Sequence, residues 1–112
     1  MKKPRSVKQI LMGGLGKAWM VWPPRNEVKR RCKTKDKAGW WTCELCKRQT
    51  ERIEIDHIRP VVKPEDGFTD WNSYIASKFV SADMLQGLCH ECHQVKTKEE
   101  NKIRREVKRS TK

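Results

Sequence analysis

Long apolar runs are missing from this sequence. The nearest approach, Ile10 to Leu15, is short and already broken by Gly13 and Gly14, far from the length that crosses a bilayer. Met1-Lys2-Lys3-Pro4-Arg5 precedes no apolar stretch of signal-peptide form, so an intracellular protein is expected. Apolar residues are scarce as well. They make up 36% of the 112 residues, mean hydropathy is −0.91, and the region from Trp40 to Cys92 must supply nearly all of any core. A chain this short and polar is one domain at most, and it needs a staple beyond hydrophobic burial. Acidic charge is the third shortage, with 14 Asp and Glu against 26 Lys and Arg for a net charge of +12. That balance disfavours neutral or acidic partners and points to a polyanion, with nucleic acid first. No low-complexity segment is present, and the only internal repetition is a pair of cysteine knuckles.

Those knuckles are Cys43-Glu44-Leu45-Cys46 and Cys89-His90-Glu91-Cys92. Four thiolates are what a tetrahedral structural zinc requires, each Cys-x-x-Cys wrapping one edge of the ion. Reduced cysteines at metal spacing agree with an intracellular setting, because an oxidising compartment pairs them as disulfides. Cys32 has no such partner and reads as a small buried hydrophobe on a helix. A closed thiolate cage leaves no room for substrate. The harder ligands nearby, Asp56 and His57 between the knuckles and His93 directly after the last cysteine, therefore suggest a second, open metal site.

Taken in order, residues 1–22 read as a basic, poorly ordered arm with at most a helical turn around Val7 to Leu11, ended by Pro23-Pro24. Asn26 to Ala38 suits a short helix with Asn26 as N-cap and Gly39 as stop. Its apolar stripe is only Val28 and Cys32. Lys29, Arg30 and Arg31 then form either a solvated face or a phosphate-contacting one. Trp40-Trp41 are expected to pack over the first knuckle, with base stacking as the alternative. Arg52 to Ile58 alternates, with Ile53 and Ile55 on one face and Glu54 and Asp56 on the other, as in a half-buried strand delivering Asp56 and His57 to its end. Asp70 can cap a helix from Trp71 to Phe79 whose face of Trp71, Tyr74, Ile75 and Phe79 should be core. Met84 to Leu88 reads as a second strand. A basic helix or frayed tail begins near His90. The division expected is a basic arm over 1–38 and a zinc-stapled domain over 39–112, of α+β class.

A strand ending in Asp-His, a long loop, a second strand and a helix carrying a histidine in its first turn make the layout of a ββα-metal nuclease. The chain resembles the HNH endonuclease family, in its small four-cysteine, zinc-stapled branch common in bacteriophages. The likeness rests on Cys43-Glu-Leu-Cys46, Glu54-Ile-Asp56-His57-Ile-Arg-Pro60, and Leu85-Gln-Gly-Leu-Cys89-His-Glu-Cys92-His93-Gln-Val-Lys96-Thr97. It spans Cys43 to about Glu99, and its specificity lies in the combined pattern. The family's middle asparagine is replaced by Met84, a position where Asp83 or Asn72 is expected to substitute by bracing the loop.

Phosphodiester hydrolysis needs a nucleophile made from water and a cation to neutralise charge on phosphate and leaving oxygen. Imidazole suits the base near neutral pH, which makes His57 the candidate. Asp56 and His93 would hold the divalent ion, and the resemblance implies the same three roles. Mg²⁺ or Mn²⁺ fits best, with Ni²⁺, Co²⁺ or Zn²⁺ as other occupants. Arg59 and Lys96, with Lys29, Arg30 and Arg31, are expected to meet DNA. The implied protein is a metal-dependent DNA endonuclease, by analogy an aid to a phage packaging terminase acting in the cytoplasm of a bacterial host. The competing readings are a zinc-stabilised DNA-binding module without catalysis, and an RNA-binding or ribosome-associated zinc ribbon.

Overall fold

A computed structural model describes residues 3–110, so Met1, Lys2, Thr111 and Lys112, the outermost residues of the expected arm and tail, lie outside it. The first element is helix α1, Val7–Trp19. Ser6 and Gln9 start it with a reciprocal capping box: the Ser6 hydroxyl accepts from the Gln9 amide and the Ser6 amide donates to the Gln9 side chain. The expectation of a poorly ordered arm with one helical turn is therefore corrected. The cap offsets part of the cost of the three glycines inside, and Trp19 at the helix end packs against the core.

Helix α2, Pro23–Cys32, also departs from expectation. The prolines begin it instead of only ending what precedes, since a fixed φ and a missing N–H are harmless in a first helical turn. Asn26 consequently lies inside the helix. Its end comes before Gly39 because Lys33 turns extended to bridge Trp41, and the Thr34 amide donates to the Trp40 carbonyl at 2.9 Å. Strands β1, Trp41–Thr42, and β2, Gln49–Thr50, pair antiparallel around the first knuckle.

Strand β3, Glu54–His57, pairs antiparallel with β4, Leu85–Leu88, setting Asp56 opposite Gln86 and His57 opposite Leu85. Between them lie helix α3, Trp71–Lys78, and a 3₁₀ turn at Ala82–Met84, so β4 begins one residue later than expected. Asp70 caps α3 as anticipated, accepting from the Ser73 amide at 2.7 Å. The expected apolar face is only partly core: Tyr74 is buried, but Ile75 is 42% exposed. Trp71 and Tyr74 instead gather around Phe68, with ring centroids 5.0–6.0 Å apart. Helix α4, His90–Ser110, follows β4 directly.

Two apolar clusters hold these parts together. Val28, Cys32, Ile55 and Leu85 form one, with Trp19, Trp41 and Ile53 packed against it. Cys43, Leu88 and Cys89 form the other, beside Cys92. β4 contributes to both, Leu85 to the first and Leu88 to the second. Trp41 thus packs away from the knuckle it was expected to cover, and Trp40 lies under the Lys37 ammonium, 3.5 Å from its ring centroid. Gly87 is required between the clusters, because a Cβ there would stand 2.6 Å from the Cys32 sulfur and 3.0 Å from Ile53. No helix among the described residues is long and apolar enough to cross a membrane.

Candidate metal centre and adjoining cleft

The two knuckles converge. The sulfurs of Cys43, Cys46, Cys89 and Cys92 all lie within 4.8 Å of one another, and those of Cys46 and Cys89 are 3.8 Å apart. A tetrahedral ion with zinc–sulfur bonds of about 2.3 Å separates its ligands by roughly 3.8 Å, so this set fits a structural metal such as zinc. Among the described residues it is the one group of three or more metal-ligating side chains gathered so closely. Lys47 turns the first knuckle with φ of 65°, and its amide donates to the Cys43 carbonyl. Burial pushes the Cys43 thiol up, but backbone amides of Cys46, Cys89 and Leu45 directed at its sulfur win and bring it down to about 6. Sharing a proton with the Cys89 sulfur pushes Cys92 up to about 12. One thiolate is ready, and the remaining charge requires a cation.

Glu44 anchors this centre to the rest of the chain. Its carboxylate accepts from the Gly87 amide at 2.8 Å and from the Arg31 guanidinium at 2.7 and 2.9 Å. Arg31 also donates to the carbonyls of Ala82 and Leu85. These bonds tether an exposed side chain to the first knuckle and to the start of β4.

Beyond the knuckle, β4 and α4 bring His93 to β3. His93 Nε2 lies 3.6 Å from Asp56 Oδ1, and His93 Nδ1 lies 3.8 Å from Glu54. Asp56 Oδ2 takes the Gln86 amide at 3.1 Å and the Lys96 ammonium at 2.9 Å. That division fixes the carboxylate's rotation and leaves Oδ1 to His93. A carboxylate oxygen and an imidazole nitrogen at this separation can serve as two ligands of one ion. His90 is exposed and stands 3.3 Å from the same Glu54 carboxylate.

His57 faces the other way, toward Trp19 and α3. Its Nε2 lies 2.8 Å from the Lys78 carbonyl. A carbonyl only accepts, so Nε2 carries the proton and Nδ1 keeps its lone pair. Burial holds the imidazole below its ordinary value of 6.5; the Lys78 carbonyl opposes that shift, and the Lys78 charge adds to it. His57 and Asp56 line a surface cleft of about 300 Å³ with Met12, Lys96, Glu100 and Arg104; His93 does not line it.

The loop after His57 is braced without the substitutes expected for the missing asparagine. Asp83 accepts from the Ser81 hydroxyl, and Asn72 is exposed on α3. The Lys96 ammonium donates to the His57 carbonyl at 2.8 Å, and the Ile58 amide to the Met84 carbonyl at 3.1 Å. A backbone carbonyl at Met84 needs no particular side chain. Lys96 also reaches Glu100 at 2.8 Å, so it is tied within the site. Arg30 and Arg59 are exposed and Lys29 is half-buried.

No family model, curated protein or solved structure matches this chain. The sequence pattern assigned no site role to Trp19, Lys78, Glu54 or Glu100, although Glu54 shares a strand face with Asp56 by alternation and Glu100 stands at helical i,i+4 spacing from Lys96.

Proposed function

We propose that the chain is a metal-dependent DNA endonuclease of HNH type, its β3, β4 and α4 forming a ββα-metal unit stapled by zinc at the four cysteines. The observation that carries this reading is the 3.6 Å approach of His93 to Asp56, groups far apart in sequence and of the right chemistry to share a divalent ion. A bound ion would neutralise charge growing on the phosphate and the departing 3′ oxygen. His57 Nδ1 takes a proton from the attacking water. Burial keeps that nitrogen unprotonated near neutral pH, as a general base must be. The net charge of +12 supplies attraction to the duplex, with Arg30 and Arg59 exposed to it. The phage-type likeness suggests assistance to a packaging terminase as the setting.

A second reading is a zinc-stabilised DNA-binding module without catalysis. It draws on the Lys96 ammonium, which already neutralises part of the Asp56 carboxylate. Incubating supercoiled plasmid with the protein and Mg²⁺, Mn²⁺, Ni²⁺ or Co²⁺ separates the two. Cleavage is expected, and His57→Ala should lower it by about 10²-fold or more with zinc content intact. Binding without cleavage under every metal selects the module, and a His57→Ala protein as active as the parent removes the assigned base.

A further inference from the structure

The base role leaves open what holds the His57 ring, because β3 ends at that residue. The contacts to the ring come from outside the β3–β4 pair and α4. The Trp19 indole lies flat on the imidazole, ring centroids 4.8 Å apart and planes 27° from parallel. The Lys78 carbonyl takes the Nε2 proton. A single hydrogen bond leaves a ring free to swing about the bonded nitrogen, whereas a second contact across its face confines it to one plane.

Trp19 is itself clamped. The Arg25 guanidinium sits 4.5 Å from its ring centroid, the Lys78 ammonium 5.4 Å, and the side chain packs against the Val28, Cys32, Ile55 and Leu85 cluster. Its Nε1 is buried and finds no hydrogen-bond partner among the described residues. What this position brings to the imidazole is a flat ring face.

We propose that Trp19 is a positioning residue for His57, holding the imidazole so that the Nδ1 lone pair is presented to the cleft. On this view α1 belongs to the working site and is more than a basic arm along DNA. The inference rests on the endonuclease reading. It also supplies a counterpart to the asparagine that Met84 replaces: Lys96 braces the His57 backbone and Trp19 its ring.

Two substitutions in the full chain test this. Trp19→Leu keeps apolar bulk but removes the ring face, and Trp19→Phe keeps a ring while removing the stranded N–H. With plasmid as substrate, Trp19→Leu should lower kcat by about tenfold to a hundredfold, the scale of a misplaced catalytic group, with KM and zinc content unchanged. Trp19→Phe should keep most of the activity. In proton NMR the His57 ring protons should be displaced upfield by the stacked ring in the parent and in Trp19→Phe, and return toward free-imidazole positions in Trp19→Leu. Parental kcat in Trp19→Leu, a change confined to KM, or loss of zinc and activity in both variants overturns the proposal. A parent protein that leaves plasmid intact with every metal overturns the endonuclease reading instead, and the ring-proton shifts still report whether Trp19 holds His57.

Discussion

The Lys96 ammonium lies 2.9 Å from one oxygen of Asp56, leaving the other to face His93. The same ammonium meets Glu100 and the His57 carbonyl, each at 2.8 Å, so one compact cation links both halves of the Asp56-His57 dipeptide to α4. Burial disfavours its charge, but the bonds to Glu100 and Asp56 prevail and hold its proton more tightly than usual. Lys96→Met should lower stability by about 1.5–3 kcal/mol, the range for hydrogen bonds to charged groups, and reduce cleavage while zinc content stays constant. Lys96→Arg should not restore activity, because a planar fork cannot meet three acceptors arranged around a point. Urea unfolding and plasmid cleavage measure the two effects, and full activity in either variant contradicts the arrangement.

The pH dependence follows from His57. Its folded value is depressed below 6.5 chiefly by burial, so the folded state favours the neutral imidazole. The sign is that of a lowered group: the contribution to stability is present above 6.5 and is lost as pH falls through the folded value. The acid limb of kcat/KM should accordingly lie below 6.5. An NMR titration assigned by comparison with His57→Ala would show it, and a limb above 6.5 rejects the assigned base.

Metal removal should act on the fold before it acts on chemistry. Structural zinc in small domains contributes about 10–16 kcal/mol of binding free energy to folding. Chelation or Cys89→Ser should abolish cooperative unfolding followed by circular dichroism, and added Mg²⁺ should not restore it. Cys32→Ala should leave one zinc per chain in elemental analysis, since Cys32 packs with Val28, Ile55 and Leu85 and not with the four sulfurs. Lowering the pH should weaken zinc binding, because Cys92 must lose a proton held up to about 12 before its thiolate can bind.

Gly87 tests the joint between the clusters. Gly87→Ala would place a methyl 2.6 Å from the Cys32 sulfur and should cost about 1–3 kcal/mol in denaturant unfolding. Pairing it with Cys32→Ala should recover part of that loss. No recovery would locate the clash elsewhere.

The sequence by itself determined the features that depend on spacing and local chemistry. Paired Cys-x-x-Cys knuckles can close on one ion with little regard to what lies between them, alternation marked β3, and the Asp70 cap marked α3. The Ser6-Gln9 capping box was equally legible, although the glycines behind it masked the helix. Tertiary structure decided what lies across the folded chain: Trp19 on His57, Lys78 offering its carbonyl, Lys96 on Asp56 and Arg31 on Glu44. Aromatic stacking, carbonyl hydrogen bonds and ion pairs act over a few ångströms of space and carry no period along the chain. Only the packing of α1, α3 and α4 around β3 and β4 brings these partners within reach.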